Sequence, residues 1–435
     1  MRRYLLTALA IGSAVTLVIL ILYFAGVFTP MVNWLGNVYV SRGFFGGEAL
    51  TRIKWLEIPV IVAGALWVAW SVIDVSRPGQ KITVALLIAS VVFGLSPTFA
   101  FYGYLFDPFS SLAAVLLAAV ASLAYAGTER GMRKRVLEDV LGTRVSSRTF
   151  DELLEAPAHP DFRGANREVS VVTCRLLNHE ELQESLEPPE LMKMCNLFIR
   201  SASSFLMSKG AYLDESNPEL VRVFFGMLGT TPDHAAQACG AALELRSRLR
   251  NLSLECESRW FQPLRCGVGI SSGSMTVGVY GSPAHFFFSG IGSEIDYSRR
   301  IAHANHRYGS DLLIGPETYR LIHEAFEVRP MEMFYDPGSN IMTEIYQLLA
   351  KKDNYSDEER ARRDLFWQGI IYLREKNYEA ALDHFSRSRL PGSEDEPVAY
   401  YIGKSQEGVA APETTGGRLT RELTEKGHAR LISMM

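Results

Sequence analysis

Apolar residues gather in long unbroken runs over the first third of the chain and give way to alternating patterns after it. The runs at 4–28, 56–73, 82–105 and 110–126 each approach the length that crosses a bilayer, so four spans are predicted within residues 1–128. The first run is too long for a signal peptide, and no small-x-small cleavage site closes it. If the spans alternate, Arg2, Arg3, Arg77, Lys81 and the basic run Arg130, Arg133, Lys134, Arg135 fall on one side, which is then the cytoplasm. The 29–55 loop, with Arg42, Arg52 and Lys54 against Glu48, weakens that assignment without reversing it.

Beyond the membrane come a charged stretch at 129–141 and a turn-rich one at 156–166, so 129–166 reads as a juxtamembrane signalling linker. A globular pattern then alternates between periods of two and 3.6. A strand is predicted over 168–177. Leu191, Cys195, Phe198, Ala202 and Phe205 recur at helical steps and predict a helix over 188–209, with Pro188 near its start and Gly210 past its end. A hairpin at 210–226 follows, then a helix over 233–252 with Ala238, Ala242, Leu245, Leu249 and Leu252 on one face. Two strands, 264–271 and 274–280, are expected around a turn at Ser272-Gly273. That order of strands and helices is the ferredoxin-like α+β arrangement. Further on, Trp367, Gly369, Tyr372, Tyr378, Ala381, Phe385 and Pro397 suggest one tetratricopeptide-like helical pair at 356–409. A single repeat cannot bury its own faces, so docking on the preceding domain or on a protein partner is expected. The Thr/Gly-rich stretch at 410–435 reads as a flexible tail.

Composition sharpens this picture. A chain of 435 residues with 48% hydrophobic content and a mean hydropathy of +0.05 is too apolar for an ordinary soluble enzyme. A net charge of -4 gives no reason to expect nucleic acid as a partner, and the basic run after the last span suits a membrane surface instead. The five cysteines carry no CxxC spacing and read as buried reduced thiols. His303 and His306 share a helical face, but no Cys or carboxylate stands at ligand spacing, so the structural reading is preferred. GVGISSG runs into a strand rather than opening a helix, and no Walker A sequence is present, so neither nucleotide-loop reading holds.

The order of elements joins five local sequences: GAYLDESNPELVRVFFG, DHAAQACGAALELRSRL, GVGISSGSMTVGVYGS, FFFSGIGSEIDYSRRIAHANHRYG and LLIGPETYRLI. Together they resemble the catalytic domain of class III adenylate/guanylate cyclases over 167–350. The membrane bundle, the linker LGTRVSSRTFDELLEAP and the tail FWQGIIYLREKNYEAALDHFSRS also resemble bacterial membrane cyclases of this class. The implied fold is a four-span helical membrane bundle, then an α+β ferredoxin-like cyclase homology domain, then a short tetratricopeptide-like tail. The implied chemistry converts ATP or GTP to a cyclic nucleotide. Two Asp residues hold two divalent ions at a site formed across a dimer interface, and an Asn and an Arg support ribose and transition state.

Most of those positions depart from the family's pattern. The first metal Asp falls on Arg175 and the second on Glu219, while the glycine before the latter falls on Pro218. The purine-selecting Lys falls on Glu215 and its partner on Phe287. The transition-state Asn falls on Asp296, and Arg300 alone matches. A guanidinium at a metal position repels hard cations, so no cofactor is expected, with magnesium or manganese required only by an active form. Arg175 and Glu219 should instead pair directly, as a partly buried, charge-assisted contact to which a bidentate geometry is open. A one-residue slip of the hairpin would carry Asp214 or Glu215 toward a metal. Asp296 stands four residues before Arg300, so Arg300 is either a free functional cation or a paired helix residue.

Three functions stay open. The chain is a catalytically degenerate, dimerising signalling module; or a subunit that completes a composite cyclase site with an intact partner; or a receptor that binds a nucleotide or protein without turnover. Dimerisation, as homodimer or with another cyclase domain, is expected through the cleft surface, with Phe286 and Phe288 exposed there.

Overall fold

The structure, a computed structural model, describes residues 2–43, 50–75, 78–156, 162–229, 232–282, 285–336, 341–389 and 395–410. The expected flexible tail therefore lies outside the described residues except for Ala410. The chain divides into two compact units: one runs to Gly142 and takes up again at Phe150, and the other holds Thr143–Thr149 and the described residues from 162 onward.

The first unit comprises α1 (Arg2–Phe24), α2 (Thr29–Ser41), β1 (Thr51–Arg52), α3 (Lys54–Asp74), α4 (Pro78–Phe101), β2 (Tyr104–Leu105), α5 (Pro108–Ala126) and α6 (Glu129–Leu141). Four of its helices are long and apolar enough to cross a membrane: Tyr4–Phe24, Lys54–Asp74, Gly79–Phe101 and Pro108–Ala126. Small residues let them approach closely. Gly64 faces Val115, and Ala65, Ala114 and Ala118 lie in the shared core. Leu6, Leu17, Trp67, Leu87 and Val120 point outward, the inverse of a soluble protein's surface.

The third span ends before the predicted 105, because Tyr104 and Leu105 form β2 and pair in parallel with β1. α2 lies where a loop was predicted. Its Val32, Leu35 and Tyr39 pack with Ala100 and Leu105. It has 13 residues, too few to span, and its apolar stripe escapes a search for long runs.

α7 (Ser147–Glu155) precedes the second unit's sheet. That unit continues with β3 (Ala165–Leu176), α8 (His179–Ser185), α9 (Pro188–Ser208), β4 (Tyr212–Ser216), β5 (Leu220–Phe225), α10 (His234–Trp260), β6 (Cys266–Ser282) and β7 (His285–Ile291). Then come α11 (Ser293–Tyr308), β8 (Leu312–Ile314), α12 (Pro316–Ile322), β9 (Phe326–Asp336), β10 (Ile341–Lys351) and the helices α13 (Asp357–Arg374), α14 (Tyr378–Ser388) and α15 (Glu396–Ala410). The sheet order is β4-β5-β3-β6-β8-β10-β9, with β7 paired to β6. Its first four strands, antiparallel throughout, have the ferredoxin-like order that βαββαβ connectivity requires. α9 and α10 cover one face, where Phe198, Leu206, Leu245 and Leu249 meet Val172, Val221 and Ile270. α11 contacts β3, β6 and β8.

The turn predicted at Ser272-Gly273 is not formed. β6 is one strand of 17 residues, in unbroken register with β3 from Ala165↔Val277 to Leu176↔Cys266. Its buried serines are satisfied: Ser271 donates to Glu294, and Ser272 Oγ lies 2.6 Å from Ser170 Oγ and 2.9 Å from Thr318 Oγ1. Gly267 and Gly269 seat α11, since a Cβ at 269 would stand 2.3 Å from the Ser298 carbonyl oxygen.

The tail docks on the domain. Phe366, Ile370, Phe385 and Tyr401 share a core with Ile301, Tyr308, Met331 and Ile345. A third helix, α15, follows the two expected at 356–409. Arg329 donates to both carboxylate oxygens of Asp395 at 2.8 and 2.7 Å, and Lys404 reaches Glu332 at 3.0 Å.

Candidate functional site

The site region lies where the end of β3, the β4–β5 hairpin, β7 and the first turns of α11 carry the six residues singled out by sequence. The hairpin tip is built by Asn217, whose Oδ1 accepts the Glu219 and Leu220 amides at 3.0 and 2.8 Å. The Leu176 amide donates to the Glu219 carbonyl at 2.7 Å. Glu219 is thereby held beside Arg175, with Nη2 3.5 Å from Oε2. The expected partly buried pair forms, but not in the bidentate geometry open to it. It makes a single long contact, and 45% of the Glu219 side chain is exposed. The reason is local: the Asx turn fixes the Glu219 backbone while its side chain reaches outward. His179 Nδ1 stands 3.4 Å from Glu219 Oε1 without a hydrogen bond.

The other two acids of the hairpin are held more tightly. The β4–β5 register shifts between Leu213 and Glu215, so two residues oppose Arg222 instead of one, which is a β-bulge. Arg222 Nε donates to Asp214 Oδ2 at 2.8 Å, and Nη2 lies 2.8 Å from both Asp214 Oδ2 and Glu215 Oε2. The Ser289 hydroxyl donates to Asp214 Oδ1. Only 6% of the Asp214 side chain is exposed. Arg222 and Ser289 were not picked out from sequence, although an Arg inside the apolar run LVRVFF is the signal that could have found the first.

Phe287 is 46% exposed on β7, with its ring 6.0 Å from that of Tyr280. Arg144 lies 5.9 Å from the Phe287 ring centroid and donates to the Asp214 carbonyl at 2.9 Å. The expectation for Phe288 fails. It is 2% exposed, packed edge-on against Tyr212 and Phe162. Phe286 and Phe287 are the exposed aromatics instead.

On α11 the Asp296–Arg300 pair, one of the two readings left open for Arg300, is not formed among the described residues. Asp296 turns to Arg299, three residues on, at 3.8 Å and in solvent. Its carboxylate sits in the first turn of the helix, where the macrodipole favours it without Arg300. Among the described residues Arg300 makes no hydrogen bond or ion pair, and its Nε is buried without a partner. His303 Nδ1 is likewise unpartnered. Burial, then the nearby Arg175 and His306 charges, push the His303 pKa down.

These residues do not fit a divalent metal. A guanidinium stands where the resemblance puts one ligand, Glu219 lies 3.5 Å from Arg175, and Asp214 is held by Arg222 and Ser289. Among the described residues no group of three or more His, Cys, Asp or Glu side chains could hold a metal ion. His303 and His306 stack, with centroids 6.5 Å apart. What the region offers chemically, among the described residues, is a cation without a carboxylate partner, Arg300, suited to an anionic group. Ser170 and His234 also meet, with Oγ 2.8 Å from Nδ1, but both are buried, so substrate cannot reach that pair. Four cysteines are buried and the fifth is half-buried; burial pushes the Cys174 thiol up to about 12, leaving it inert.

No protein-family model matches the chain. In sequence it is similar to the soluble guanylate cyclase gcy-32 of Caenorhabditis elegans, at 26% identity over 155 residues, 35% of this chain and 21% of that protein. It is also similar to an adenylate cyclase of Anabaena cylindrica, at 21% identity over 190 residues, 43% of this chain and 38% of that one. The chain thus spans less than half the length of either relative. Among solved structures it is similar to the adenylyl cyclase CyaB from P. aeruginosa, with 24% identity, a TM-score of 0.41, and coverage of 45% of this chain and 100% of that one. The guanylyl cyclase Cya2 gives 22% identity, a TM-score of 0.41, and coverage of 45% and 98%.

Proposed function

We propose that this chain, similar in sequence to adenylate and guanylate cyclases, is a membrane-anchored, cyclase-like signalling protein whose cytoplasmic domain dimerises without turning over nucleotide. The observation that carries the reading is the ion pairing of the hairpin corner. Arg175 at a metal position meets Glu219, and Arg222 meets Asp214 and Glu215, so these carboxylates face protein cations instead of metal ions. A cyclase without its two metals lacks its largest electrostatic contribution to the rate. The bundle anchors the chain as a multi-pass cell-membrane protein, with its basic flanks and the domain in the cytoplasm. The tetratricopeptide-like tail docks on the domain and leaves its outer surface for a protein partner.

The test is to supply the full chain in lipid nanodiscs with ATP or GTP and excess manganese and to measure cyclic nucleotide directly. No product above the protein-free control is expected. Metal-dependent product would sink the reading.

One observation favours a second reading, a subunit that completes a composite site with an intact partner: Arg300, whose Nε is buried without a partner and which pairs with no carboxylate among the described residues. Co-reconstitution with an intact cyclase separates the two. A rise in the partner's turnover that Arg300→Ala abolishes would favour the complementing subunit.

A further inference from the structure

A second charged cluster lies in the helical bundle, at the end opposite the one from which α5 continues toward α6. Glu57, in the first turn of α3, is 0% exposed, as is Asp107, which caps α5. Glu57 is saturated as a carboxylate. Arg52 Nε donates to Oε1 and Nη2 to Oε2, both at 3.0 Å; Tyr23 donates to Oε2 at 2.5 Å; and the Asp107 amide donates to Oε1 at 3.2 Å. Asp107 is only half satisfied. Its Oδ1 accepts the Phe109 and Ser110 amides at 2.8 and 3.2 Å, but Oδ2 is buried and no hydrogen bond within 3.5 Å reaches it among the described residues. Arg52 Nη2 stops 3.6 Å short of Oδ2.

The charge count is therefore unbalanced. Two fully buried carboxylates share one guanidinium, and that guanidinium donates its hydrogen bonds to Glu57. Among the described residues the other groups facing the cluster supply no cation: α1 brings Tyr23, and α2 brings Tyr39, which donates to Ser96 of α4 at 3.2 Å. An ionised Asp107 would be a desolvated charge whose one cation, Arg52 at 3.6 Å, is shared with Glu57, and such a group takes up a proton in preference to remaining charged.

We propose that Asp107 Oδ2 is a proton-binding site and that Arg52 is a cation shared between it and Glu57. With the proton bound the cluster is neutral and Arg52 serves Glu57. When the proton leaves to water along the Arg52 side chain, which is 22% exposed, the guanidinium closes its 3.6 Å gap to Oδ2. β1, which carries Arg52 and pairs with β2, is then drawn toward the start of α5. The ligand is the proton, and the step needs no other reactant. The inference is independent of whether the domain turns over nucleotide.

Infrared titration of the full-length chain in lipid nanodiscs tests it. The wild type should show a protonated-carboxyl band that persists well above the ordinary Asp pKa of about 3.9. Asp107→Asn should lack the band and still fold, because Asn caps a helix as well as Asp does. Glu57→Gln should leave the band's origin intact but free Arg52 for Asp107. Its midpoint should fall by at least about one pH unit, a tenfold loss of proton affinity. No such band in the wild type, an undiminished band in Asp107→Asn, or an unmoved midpoint in Glu57→Gln would each overturn the proposal.

Discussion

The two ion-paired corners of the hairpin differ in a way that ion pairing alone does not convey. At Arg222 a bulge turns two carboxylates onto one guanidinium, and burial makes each charge depend on the other. At Arg175 the turn holds the Glu219 backbone in place and leaves nearly half of its side chain in water. Exposed pairs contribute little, whereas breaking a buried one strands a charge.

Four measurements would break or sharpen that contrast. The largest effect is expected from Arg222→Ala, which leaves Asp214 buried without its cation and should destabilise the domain by about 3–5 kcal/mol, read by denaturant unfolding. A loss below about 1 kcal/mol, the exposed-pair range, would erase the distinction between the corners.

Second, stability should fall as pH drops below the ordinary histidine value of about 6.5. Burial lowers the folded pKa of His234, and burial with the Arg175 and His306 charges lowers that of His303. Between the two pKa values the unfolded chain binds protons that the folded one does not, so stability is intact above the unfolded pKa and declines below it. Replacing both residues with Gln should flatten the profile; an unchanged slope would assign it to other groups.

Third, Arg175→Asp should cost no more than about 1 kcal/mol, because solvent screens the repulsion with Glu219. Fourth, Asp296→Asn should shift stability by less than about 0.5 kcal/mol, since its pair with Arg299 is exposed. A large loss in the last variant would mean that Asp296 carries contacts beyond that pair.

Much of the fold was legible because periodicity reports burial. The α9 stripe, the α10 stripe and the long apolar runs all mark surfaces removed from water, and all three became packed or span-length helices. α10 runs to Trp260, past the predicted end at 252, because the stripe fades before the helix does. Ser-Ser-Gly-Ser in β6 read as a turn because local chemistry favours one. Hydroxyl partners from β3 and α12 overrode that preference, and no local reading can see them. Phe288 escaped for a related reason: in FFFSG nothing local says which ring faces Tyr212. At the candidate site, sequence placed Arg175 beside Glu219 but missed the bulge that brings Arg222 to Asp214 and Glu215. A register shift is a property of paired strands, and a single strand does not encode it.

The seat of α11 on Gly267 and Gly269 sets what substitution can and cannot reach here. Charges at 219 and 296 reach solvent, so the corner can exchange one sign for another there while the backbone stays where it is. A single methyl group at 269 would instead displace the whole helix and carry Asp296 and Arg300 with it. Drift in the chemistry of this surface is therefore cheap, drift in its shape is not, and a protein can change its reactivity at this corner long before it changes its outline.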